Sequence, residues 1–92
     1  MQLNELTNKA EAIAGGTTAL ARRIGTPATH IHNWKAGIRA CQAEDRALLA
    51  EVAGVDPIAE IAEALAERWE GKPKGERLRE LFARRLQGVA KF

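Results

Sequence analysis

Apolar residues recur along this chain at steps of three and four, the spacing that gathers them on one side of a helix. Leu3, Leu6, Ala10 and Ile13 predict a first helix over about residues 3–14, ended by Gly15-Gly16. Leu20, Ala21 and Ile24 form the next stripe, with Thr17 and Thr18 placed to cap its start. Gly25 suits a left-handed turn, after which Thr26 can cap and Pro27 can open a second short helix, residues 27–36. That helix carries Ile31 and Trp34 inward, and Gly37 can close it. Ile38 is expected to fold back on the core, as a residue after a C-terminal glycine often does. Ala47, Leu48 and Val52 then mark a helix over about 43–53, closed by Gly54.

Asp56-Pro57 reads as the cap and first turn of a fifth helix, about 57–70. Ile58, Ile61, Leu65 and Trp69 form its apolar stripe, with Ala62 and Ala66 beside them. Glu60, Glu63, Glu67 and Glu70 fall on the other, solvated face. Gly71 to Gly75 is a break, and Leu78, Leu81, Phe82 and Leu86 predict a last helix over about 76–87, opposite Arg77, Arg84 and Arg85. The expected fold is all-α within one domain, residues 1–92. A compact four-helix unit occupies 1–54, and a helical hairpin occupies 55–92, free either to complete the core or to dimerise.

Composition sharpens this picture. Apolar residues make up 46% of the chain but only 4% is aromatic, so alanine-lined helices must pack closely. The single cysteine, Cys41, excludes an internal disulfide and fits a reducing compartment. No apolar run approaches the ~20 residues that a membrane span needs. The amphipathic start MQLNELTNKAEAIA lacks the form of a signal peptide. Cytoplasmic residence, with no membrane partner, is the expectation.

A net charge of +2 conceals an uneven distribution. No acid occurs from Ala12 to Ala43, while Arg22, Arg23, Lys35 and Arg39 all lie there. An acidic block, 54–71, separates this window from a basic one, 72–92. Local fields of this kind, more than net charge, decide where a phosphate backbone settles.

The stretch Thr17 to Gly37, TTALARRIGTPATHIHNWKAG, resembles the helix-turn-helix of the lambda repressor/Cro-like superfamily, in which bacteriophage regulators are common. Ala21 matches the small residue where the two helices touch, Gly25 the turn, Ile31 and Trp34 the core, and Lys35-Ala36-Gly37 the exit. The chain around it is similar to small phage-associated proteins. The resemblance implies a sequence-specific transcriptional regulator that lays helix 27–36 in the major groove of double-stranded DNA. It also implies that the outward residues of that helix, Ala28, Thr29, His32 and Asn33, meet base edges. Their chemistry suits base readout, since Asn bonds an adenine edge bidentately, Thr donates, accepts or touches a thymine methyl, and His donates to guanine. Thr17, Thr18, Arg22, Arg23, Lys35 and Arg39 are the expected phosphate contacts. Because one short helix reads few base pairs, a homodimer through residues 57–87 on an inverted repeat is expected. Alternatives are a nucleoprotein-assembly factor, such as a phage terminase small subunit or replication accessory, and a protein-interaction adaptor.

Other chemistry is poorly supplied. His30 and His32 diverge by about 200° on a helix and cannot chelate one ion, so no metal is expected. Serine is absent, as are glycine-rich phosphate loops and a prominent carboxylate pair. Neither an enzyme nor a cofactor or small-molecule substrate is expected.

Overall fold

The chain turns at its glycines and prolines into six helices: α1 (Leu3–Ala14), α2 (Thr17–Ile24), α3 (Ala28–Lys35), α4 (Ala43–Ala53), α5 (Pro57–Arg68) and α6 (Pro73–Ala90). The structure, a computed structural model, describes residues 1–90. Among the described residues there is no strand. No described helix is long and apolar enough to cross a membrane.

The apolar core joins Leu6 and Ala10 of α1, Leu20 and Ala21 of α2, Ile31 and Trp34 of α3, and Leu49, Ala50, Val52 and Ala53 of α4. Three helices, α1, α4 and α5, are rotated from the expected setting. In α1, Ile13 is exposed, and Thr7 is buried instead, its hydroxyl donating to the Leu3 carbonyl at 2.8 Å. In α4, Leu48 is exposed while Leu49 is fully buried. The reason lies in the stripe that α4 uses: Arg46, Leu49, Ala50 and Ala53 are spaced i, i+3, i+4, i+7, and the first of them is a cation. A search for apolar periodicity misses a stripe that begins with arginine.

Arg46 is only 4% exposed. Its guanidinium donates at 2.8 Å to Glu60 and at 2.8 Å to Glu67, both on α5, and at 2.9 Å to the Met1 carbonyl. Burial alone would lower the Arg46 pKa, but the hydrogen bond to Glu60 and the charge of Glu67 hold it above its ordinary value. This cluster sets the rotation of α5. Glu60, expected on the solvated face, is buried with Ala62 and Ala66, while Ile58 is 63% exposed. Burying an isoleucine gains about 1.5–3 kcal/mol. Stranding a buried cation costs about 3–5 kcal/mol, so the ion pair decides which face turns inward. The Asp56 carboxylate caps α5 as expected, accepting the Ile58 N–H at 2.9 Å.

The α5–α6 connection is shorter than its glycines and lysines predict, because α6 already begins at Pro73. Gly75 therefore sits in its first turn, so close to α5 that an added Cβ would lie 2.1 Å from the Trp69 carbonyl oxygen. Lys74 places its ammonium 4.2 Å from the centre of the Trp69 ring. Leu78 and Phe82 are half-buried and Leu81 is 40% exposed. Leu86, expected on the same stripe, lies outside the residues whose side chains are described. Among the described residues α6 packs on α5 alone, and α5 in turn packs on α4.

Removing the Arg46 guanidinium leaves buried Glu60 with only the more distant Met1 ammonium, 3.4 Å away. Arg46→Ala is expected to lower stability by about 3–5 kcal/mol, whereas the paired replacement Arg46→Met with Glu60→Leu stays close to neutral. Denaturant titrations of the two variants check the difference.

Candidate nucleic-acid interface

Helices α2 and α3 are joined by three residues, Gly25, Thr26 and Pro27. Gly25 takes the left-handed conformation (φ 75°, ψ 36°), and its N–H and that of Thr26 both donate to the Ala21 carbonyl at 3.0 Å. Ala21 itself is buried, so a larger side chain there would push α2 off its neighbours. The expected caps are not used. Gly16 holds the cap position of α2, and Pro27 precedes α3 instead of lying in its first turn. The Thr26 hydroxyl lies 3.3 Å from His30 Nδ1, which occupies it away from the α3 amides.

Ile31 is fully buried and Trp34 is 2% exposed, fixing the rotation of α3 about its axis. The Trp34 indole N–H finds no acceptor among the described residues. With these two inward, Thr29 and His32 are exposed and Asn33 is half-buried. Ala28 departs from its expected outward place. It is half-buried against the core, because it starts the helix directly over the turn. At the exit the Asn33 carbonyl accepts from Ile38 N–H at 2.9 Å and from Arg39 N–H at 3.2 Å. That closure swings Ile38 outward to 76% exposure, contrary to its expected return to the core.

The basic rim is less uniform in space than along the chain. Arg22 and Arg23 are exposed on α2 and form no ion pair among the described residues, and Thr18 and Arg39 are exposed as well. Lys35 is different: its ammonium is 2.8 Å from the Glu11 carboxylate of α1. Thr17 is half-buried, and its hydroxyl donates to the same carboxylate. Partial burial works to raise the Glu11 pKa, but the bonds from Lys35 and Thr17 outweigh it and hold the group below the usual carboxylate range. At the other end Asp45, its carboxyl raised by burial and by neighbouring Glu44, lies within the field of His30 and Arg39. An acid on α1 and another on α4 thus border a surface that reads as acid-free along the chain. Neither has a local sequence signal, since each arrives by tertiary folding.

A concavity of about 660 Å³ lies elsewhere, open to solvent and bordered by Met1, Leu3, Cys41, Arg46 and Glu67. Burial, with the charge of Asp45 nearby, pushes the Cys41 thiol up to about 12. A thiol held protonated is a poor nucleophile. Comparison with protein-family models, curated proteins and solved structures returned no match.

Trp34→Ala is expected to cost about 3–5 kcal/mol by opening a cavity beneath α3. Thermal melts compared with the wild type measure the loss, and an unshifted melt contradicts the anchoring role.

Proposed function

We propose that this chain is a sequence-specific DNA-binding regulator of the repressor/Cro type, which lays α3 in the major groove. It acts by occupying an operator and carries out no catalytic step. One observation carries the proposal: Thr29, His32 and Asn33 stand on the outer edge of a helix whose inner edge is locked by Ile31 and Trp34. Donors and acceptors held at a fixed angle are what base-edge readout requires. Among the described residues neither α5 nor α6 packs against α2 or α3, so the chain's own tail does not cover that edge.

Phosphate attraction falls first to Arg22 and Arg23, the cations of α2 that no carboxylate engages among the described residues. Residues 57–87 supply the dimer contact in this proposal, through helices that leave Ile58 and Leu81 exposed and stand apart from α2 and α3. Two copies about a two-fold axis then read half-sites about 34 Å apart.

Selection of bound duplexes from a random pool tests this assignment. Asn33→Ala is expected to change which sites win, at a cost of about 1–3 kcal/mol on the best wild-type site. Arg22→Ala is expected to weaken all sites about equally and to flatten the salt dependence by about one contact. Binding that neither substitution alters contradicts the assignment. Solution mass distinguishes a dimeric regulator from the ring of an assembly factor.

A further inference from the structure

We infer that Glu11 competes with a DNA phosphate for the donors at the junction of α1, α2 and α3, and so sets how tightly this face holds a duplex. The inference rests on the DNA-binding reading above and deepens it. Glu11 immediately precedes the acid-free window in sequence. In the fold its carboxylate takes the Thr17 hydroxyl from the first residue of α2 and the Lys35 ammonium from the last residue of α3. Its side chain is 13% exposed and that of Lys35 is 35%, so the acid is enclosed while the cation still meets solvent.

Thr17 and Lys35 are the side chains here that would otherwise hold phosphate oxygens. A hydroxyl has one proton to donate, and Glu11 already receives that of Thr17. A phosphate reaching this seat must break that bond, share the ammonium and face a full negative charge. The Glu11 backbone is fixed at the end of α1, its carbonyl accepting from the Gly15 and Gly16 N–H groups at 2.9 and 2.8 Å. Like charges brought within a few ångström in a partly desolvated place repel, and the penalty falls on the bound state. Arg22 and Arg23 have no such rival among the described residues, so attraction and opposition come from different parts of one surface.

The full chain and a labelled duplex chosen by the pool selection test this. Glu11→Gln keeps the shape and an acceptor for Thr17 but removes the charge. Its Kd is expected to fall about tenfold at about 0.1 M salt, and its log–log salt slope to steepen by about 0.9, the increment of one added phosphate contact. Lys35→Gln is expected to cost more binding in the Glu11→Gln background than in the wild type, since the freed ammonium then serves the phosphate. A purely positioning role for Glu11 predicts the reverse, weaker binding at unchanged slope. Glu11→Ala repeats the measurement without the amide. Unchanged affinity and slope in both variants, or both melting below the assay temperature, overturns the inference. Wild-type protein that binds no duplex overturns the DNA-binding reading as well.

Discussion

Ile31 and Trp34 hold a helix of eight residues to the rest of the molecule, and the setting of α3 depends on them. A helix that short has almost no stability of its own in water, so tertiary packing supplies both its existence and its direction. The two side chains enter the core from successive turns, against a floor made by α1 and α2. What they fix on the inside they also fix on the outside: exposed Thr29 and His32 and half-buried Asn33 take their orientation from the same helix. That coupling of a buried edge to a polar one is the physical content of the functional proposal.

A second constraint is polar. Arg46 ties α4 to α5 through Glu60 and Glu67, and to the start of the chain through the Met1 carbonyl. Residues 55–90 are therefore not a loosely appended hairpin. Detaching them leaves a buried guanidinium without its carboxylates, a larger penalty than the burial of any single aliphatic side chain here repays. The apolar core alone, drawn from α1 to α4, conceals this dependence.

The existence of six helices was legible because stripe spacing, glycine stops and proline starts agreed along the chain. Their rotation was legible where the buried stripe was wholly apolar, as in α2 and α3. It was misread in α4 and α5, where Arg46 and Glu60 occupy inward positions that hydrophobic periodicity assigns to solvent. Those two residues explain each other only once both helices are in place. The turn between α2 and α3 followed from Gly25, but its neighbouring threonine chose His30 over the helix amides, a competition that composition does not record. The α5–α6 connection was overestimated because Gly75, a breaker by type, is present for a close approach to the Trp69 carbonyl.

The candidate interface divides in the same way. Its polar edge followed from the inward pair, whereas its field did not follow from the local charge run. Glu11 and Asp45 reach it from other helices, and charge along a chain becomes charge on a surface only after folding. The most direct measurement of the central claim is an amide-resolved NMR titration of the chain with its selected duplex. Perturbations centred on residues 17–39, strongest at Thr29, His32 and Asn33 and absent from the middle of α5, are the predicted result. Perturbations centred on α5 and α6, with α3 silent, would contradict it.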